Sequence, residues 1–279
     1  MRGKTGEKER YSNFELLRIV SMIMIIAYHY SIKGQGRYIS EMPFVNKVFI
    51  EEISMFGKIG VNLFILITGY FGVYSSGIKI IKMLKLECQV LFFSLFMMVF
   101  GGIAKGFILS GVRFQYIFPT IFNLYWFMTA YMILYCFMPF INKMLLALQD
   151  SEIKILRGLI IFIWCIIPTI TFQLDAGMNW SQQIWMFTTY ILGASFRLLP
   201  IKKRRRWWII EVVLSVSFLM LSVLIIELVG REMPEISKYA TYFRWSNSVL
   251  AVLVSIGFFV NFEKLGGGIV KTLIDWPQE

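Results

Sequence analysis

The sequence predicts an all-α, polytopic integral membrane helical bundle with about eight transmembrane helices. Three observations predict it. Hydrophobic residues make up 57% of the 279-residue chain and charged residues 16%, with a mean hydropathy of +0.66. A soluble domain of this length carries far more charge. The apolar residues fall into segments of about 20, the length that crosses a bilayer core. The charges between the segments alternate in density in the way membrane topology requires.

The elements follow in order. The first span is expected near 14–32, the second near 54–74, the third near 86–104 and the fourth near 120–142. The fifth and sixth, near 156–172 and 184–200, are the shortest; the seventh and eighth lie near 207–229 and 246–262. The first is read as a retained span, because no A-x-A-like cleavage site accompanies it and further spans follow. With the N-terminus inside, the inner segments hold eighteen of the 28 Lys and Arg and the outer loops hold eight. The excess recurs in every inner segment, so a multi-pass protein with a cytoplasmic N-terminus, in the plasma membrane, is expected. The outer loop 33–53 is the longest and is mixed in charge.

A formal charge of +11 raises the question of nucleic acid. The charges answer it. The run Lys202–Arg206 is compact, sits between two apolar segments and is followed at once by Trp207 and Trp208. That pattern is a cytoplasmic loop beside an aromatic belt, not an extended basic face, so no nucleic-acid partner is expected. Cys88, Cys136 and Cys165 lie singly in apolar runs, without paired spacing, and the chain has one histidine. They read as packing residues, and no metal site is expected.

That histidine, His29, shares the first span with Arg18. Eleven residues make three helical turns plus about 20°, so both side chains occupy one stripe, about 16 Å apart along the axis. Glu15, Met22 and Ile25 fall near it, with Val20, Ile23 and Ala27 opposite. Ionisable groups within a span normally face the bundle interior or a watery cavity. A histidine, whose unperturbed pKa is about 6.5, is suited to general-base work near neutral pH. Spacing alone admits a structural reading as well, with Arg18 reaching the inner headgroups and His29 bonding a neighbouring helix.

Several motifs together resemble the acyltransferase-3 family of bacterial membrane acyltransferases. They are "YSNFELLR" with Arg18 and His29, "GVNLFILITGYF" over Gly60–Phe71, and "LYWFMTAYMILYCFMPFIN" over Leu124–Asn142. The resemblance covers residues 11 to 262. It divides the chain into a cytoplasmic N-terminal segment (1–13), an acyltransferase-3-like transmembrane domain (14–262) and a short C-terminal tail (263–279). The resemblance implies about ten membrane helices. This chain is therefore expected to be short at its C-terminus, with further helices of the fold beyond its end.

The resemblance implies a membrane O-acyltransferase. An acyl group, acetyl in the first instance, passes from cytoplasmic acyl-CoA to a hydroxyl of a cell-envelope or exported polysaccharide, or of its lipid-linked precursor. The implied partners are acyl-CoA, the glycan or lipid-linked saccharide acceptor and the bilayer. Acyl-CoA is a substrate, and no permanently bound cofactor is implied. The family's catalytic pair carries over onto His29 and Arg18. A cation near the inner face can meet the donor's phosphates or polar arm. His29 is either the base that deprotonates the hydroxyl or a nucleophile that forms an acyl-histidine. Lys58 and Asn62, four residues apart on one helix face, are candidates for binding the acceptor or polarising the thioester carbonyl, with a Lys58 that simply snorkels outward as the alternative. Trp126, beside Tyr125, is a candidate for stacking on a sugar ring, with a membrane-belt aromatic as the alternative. Arg113, in the outer loop before the fourth span, is a candidate contact for an anionic glycan, with a solvated loop charge as the alternative. Glu211 and Glu227 lie about 160° apart around one helix and do not form a catalytic pair; Glu211 is read as neutralising the basic cluster. Two rival functions remain: a transporter or flippase for a glycan or its precursor, in which Arg18 and His29 line a pathway, and an inactive truncated family member.

Overall fold

The computed structural model describes residues 12–104, 114–174, 182–202 and 204–265, and these are helical with no strand among them. The helices are α1 (Ser12–His29), α2 (Phe44–Gly72), α3 (Ile80–Ala104), α4 (Phe114–Ile117), α5 (Trp126–Ala147), α6 (Asp150–Ile161), α7 (Ile167–Ile170), α8 (Gln182–Leu198), α9 (Arg205–Gly230), α10 (Pro234–Ser237) and α11 (Val249–Glu263). Counted with their π and 3-10 extensions, seven described segments are long and apolar enough to cross a membrane. The remaining expected span corresponds to α8, whose described part is 17 residues and follows directly on residues outside the description. The all-α, multi-pass architecture therefore stands. Arg113, residues 1–11 and residues 266–279 lie outside the described residues.

The second helix begins ten residues earlier than its hydropathy suggests. The Pro43 carbonyl accepts the Lys47 N–H at 3.0 Å and the helix runs unbroken to Gly72. Lys47, Glu51 and Glu52 dilute the apolar run, so 44–53 reads as loop by hydropathy. In the fold, Glu51 is buried and Lys47 is paired with Glu227 at 2.5 Å. The stretch expected as the long outer loop is instead a π turn (Tyr30–Gln35), a 3-10 turn (Gly36–Glu41) and the start of α2.

The chain forms two compact units, one of residues 1–71 with 149–279 and one of residues 72–148. In the first, α2 is central: 72% of its most apolar window is buried, against 17% for α9. Small residues bring its neighbours close. A carbon added at Gly60 would stand 2.6 Å from the Ser21 carbonyl oxygen of α1. One at Gly69 would meet the Tyr190 carbonyl of α8, and one at Gly193 would meet the Leu66 carbonyl of α2 in return. Polar side chains bind the rest. Arg157 of α6 donates to the Ser195 and Leu199 carbonyls and to Ser195 Oγ, tying α6 to α8. The Asn13 side chain donates to the Phe262 carbonyl at 2.6 Å, fixing the start of α1 to the end of α11. Ser248 caps α11, accepting from the Ala251 N–H at 3.2 Å.

The second unit holds α3, α4 and α5. Thr120 donates to Glu87 at 2.6 Å, Ser94 to the Tyr116 carbonyl at 2.9 Å, and Asn142 to the Gly72 and Ser75 carbonyls at 2.8 and 2.9 Å. Along α3, Phe92, Phe96 and Phe100 stack in an exposed row. A row of bare aromatic rings is the surface that lipid, rather than water, solvates.

Candidate functional site

The first helix has a buried face formed by Asn13, Phe14, Leu17 and Ser21. Ile19, Ile23 and Ile26 are exposed on the far side. The stripe with Arg18 and His29 lies on the border between the two. Arg18 Nη1 donates to Glu15 Oε1 at 2.5 Å and its side chain is 39% exposed. His29 is exposed, and Lys33 and Lys58 are the charged groups that act on its imidazole.

Lys58 reaches that level because α1 and α2 are in register. Gly57, its neighbour on α2, is so close to Tyr28 that any side chain there would collide with the tyrosine ring. Tyr28 immediately precedes His29. At the other end, the Phe14 ring stands 5.3 Å from Tyr70. Thus His29 and Lys58 share one level, and Arg18 lies toward the level of Tyr70.

Lys58 is buried, only 7% exposed, rather than turned outward. It belongs to a polar stripe on α2 of which Lys58 and Asn62 are only a part: Lys47, Glu51, Ser54, Lys58 and Asn62 recur at helical spacing. All but Lys47 are buried. Glu227 of α9 and Arg244 face this stripe; with Lys47 they are the charges acting on Glu51, and Arg244 also acts on Lys58. The spacing was the available signal. It is masked because hydropathy reads Lys47 and Glu51 as loop and gives Glu227 no role. Five ionisable side chains are therefore gathered at the His29 end of the first unit. Such groups within a membrane bundle mark pathways or chemistry.

Asn62 has a different character. Its Nδ2 donates to the Ser246 carbonyl at 2.7 Å and to Ser255 Oγ at 3.3 Å, and its Oδ1 accepts from Trp185 Nε1 at 2.9 Å. It joins α2, α8 and α11 below the charged group. Toward the Arg18 end, Tyr70 Oη accepts from Arg197 and donates to Glu263, each at 3.1 Å. Trp126 opens α5 in the other unit, half-buried and edge-on to Phe127 with centroids 5.9 Å apart. The structure thus brings His29, Lys58 and Asn62 into one unit with Arg18, and Trp126 is described in its own. Glu211 and Glu227 lie 16 positions apart on α9 and in separate environments. Glu211 accepts from Ser215 at 2.9 Å and makes no ion pair among the described residues.

Comparison with known proteins completes the description. A family model of the acyltransferase-3 type, described as an acyltransferase domain, matches residues 11–267. No curated protein and no solved structure matches the chain.

Proposed function

The chain belongs to the acyltransferase-3 family of membrane acyltransferases, and from that premise we propose that it is an O-acyltransferase of the cell envelope. It moves an acyl group, acetyl in the first instance, from cytoplasmic acyl-CoA to a hydroxyl of a polysaccharide or its lipid-linked precursor. The observation that carries this reading is the registered pairing of α1 and α2. It sets His29 and buried Lys58 at one level, with Arg18 on the same stripe of α1 toward the other face.

In the proposed reaction, His29 takes the proton of the acceptor hydroxyl as its oxygen attacks the thioester carbonyl. The carbon–sulfur bond breaks, and the proton held by His29 passes to the departing CoA thiolate. Lys58, a cation held in a desolvated position, favours the negative charge that develops on the carbonyl oxygen. Arg18 holds an anionic part of the donor in place of its Glu15 partner. Asn62 keeps α2, α8 and α11 together so that Lys58 remains at the level of His29. Trp126 offers an aromatic face to the acceptor ring. The protein lies in the plasma membrane with its N-terminus in the cytoplasm, the orientation that places Arg18 on the donor's side.

The test compares ester content of the envelope glycans in cells carrying the intact gene, a deletion and His29→Ala. Esters are expected to disappear in both the deletion and the point variant, with the variant still inserted in the membrane. Unchanged ester content on every candidate glycan would contradict the proposal and favour a transport role.

A further inference from the structure

In the first unit, α7 closes the fifth span on a residue that the backbone there does not favour. Phe172 follows the helix with φ 57°. The Gln173 N–H bonds back to the Pro168 carbonyl at 2.9 Å, the closing bond of a helix end that turns through one left-handed residue. Glycine fills that position by default, and a bulky side chain in it is strained. Among the described non-glycine residues the other positive φ belongs to Asn123, a residue type that tolerates it. Burial does not offset the strain at Phe172, which is 73% exposed. A strained residue that stays exposed points to a use at the surface.

The ring behind Phe172 is held in place. Tyr242 lies 5.2 Å from it, tilted by 41°. Tyr242 Oη donates to the Thr169 carbonyl at 2.8 Å and to the Pro168 carbonyl at 3.4 Å, at the helix end that turns at Phe172. Phe243 packs edge-on against Tyr242 at 5.2 Å. The Thr169 hydroxyl accepts the Val249 N–H at 3.1 Å, which ties the same helix end to the start of α11. We propose that Phe172, backed by Tyr242, is a platform on which a sugar ring of the acceptor glycan stacks. The inference rests on the acyl-transfer reading above and adds to it a saccharide subsite on the unit that holds His29. One face of a pyranose is a set of C–H groups, apolar and slightly positive, and the face of an aromatic ring is slightly negative. The sugar hydroxyls stay in water or reach polar neighbours, so an exposed ring at a bundle end suits a sugar better than a buried one.

The location agrees. Tyr242 opens the 3-10 turn Tyr242–Arg244. Arg244, at its other end, acts on Lys58 and Glu51 of the polar stripe. Two residues further on, the Ser246 carbonyl accepts from Asn62 of α2 at 2.7 Å. One short segment therefore runs from the platform to the charged group at the His29 end, on the side that the proposed orientation makes extracytoplasmic. A lipid anchor is the other use of an exposed ring at the end of a span. An anchor asks only for apolar area, which leucine also supplies, whereas stacking asks for an aromatic face.

That difference sets the test, made on the full chain in phosphatidylcholine nanodiscs. The probe is envelope glycan from cells that carry the gene, stripped of esters with alkali, cut to short oligosaccharides and labelled at the reducing end. The intact chain is expected to bind it. Phe172→Leu is expected to weaken binding about tenfold, and Phe172→Trp to keep it. Phe172→Gly, which relieves the backbone, is expected to unfold at an equal or higher temperature and yet to bind as weakly as Phe172→Leu. Equal binding by the intact chain and Phe172→Leu overturns the platform, as does an intact chain that does not bind the probe. Loss of membrane insertion in Phe172→Ala but not in Phe172→Leu, with probe binding equal in Phe172→Leu and the intact chain, marks a lipid anchor and overturns it too. Transfer from labelled acetyl-CoA in the same discs separates the two levels. Transfer by Phe172→Leu with an unchanged KM for the oligosaccharide removes the platform alone. An intact chain that binds the probe through Phe172 but transfers nothing removes the acyl-transfer reading and leaves the saccharide site standing.

Discussion

Asn62 has its whole amide committed within the bundle, and the cost of losing it follows from what would be left behind. Asn62→Leu strands the Trp185 N–H and removes a donor from the Ser246 carbonyl and Ser255 hydroxyl in a buried setting. Each stranded group costs about 1–3 kcal/mol. We expect a marked fall in the thermal unfolding midpoint in detergent, measured by tryptophan fluorescence. His29→Ala should behave oppositely. The side chain is exposed and, among the described residues, its one ring contact is the adjacent Tyr28, so its removal opens no buried space. Stability is therefore expected to hold while the transfer rate falls by about 10²–10⁴, the range for losing a general base. His29 was legible in the sequence because it is the sole histidine and stands at helical spacing from Arg18. The structural commitment of Asn62 was not, since its partners lie more than a hundred residues away.

At the scale of elements, each of the eight expected spans meets a helical segment among the described residues, but α2 starts ten residues before its expected position. Hydropathy penalises Lys47 and Glu51 wherever they stand; it does not register that Glu227 waits on α9 to pair with one of them. The pair gives a direct test. The Glu227 side chain is 3% exposed, so Lys47→Met leaves a buried carboxylate without its cation. Breaking such a pair costs about 3–5 kcal/mol, while replacing both members by apolar residues is often neutral. Lys47→Met is thus expected to lower stability strongly and Lys47→Met/Glu227→Met to recover most of it, as read from unfolding midpoints of the purified variants. The glycines of the "GVNLFILITGYF" motif were legible as part of a family pattern, yet their physical role emerges only in the fold. Gly69 and Gly193 let the backbones of α2 and α8 touch. Gly193→Leu should force them apart; overpacking of this kind costs about 1–3 kcal/mol or more. Reduced yield of folded protein on size-exclusion chromatography is the expected result, with Gly158→Leu, where a side chain meets open space, as the neutral comparison.

For the whole molecule, the distribution of Lys and Arg predicts which loops face the cytoplasm. Ser75, in an exposed turn before α3, belongs to an inner loop by that reading, and Glu41, exposed before α2, to an outer one. In a background without the native cysteines, Ser75→Cys is expected to react with a membrane-impermeant thiol reagent only in inverted vesicles. Glu41→Cys should react only in intact cells. The reverse pattern would invert the orientation and remove the donor's access to the Arg18 end.

In the proposed chemistry His29, at the level of buried Lys58, lets an acyl group pass from a cytoplasmic donor to an acceptor hydroxyl. Its most direct test supplies labelled acetyl-CoA to the cytoplasmic side of vesicles bearing the intact chain or His29→Ala and counts alkali-labile label on envelope glycan. Label in the first and near-background incorporation in the second is the predicted result. Equal incorporation by the two would contradict it.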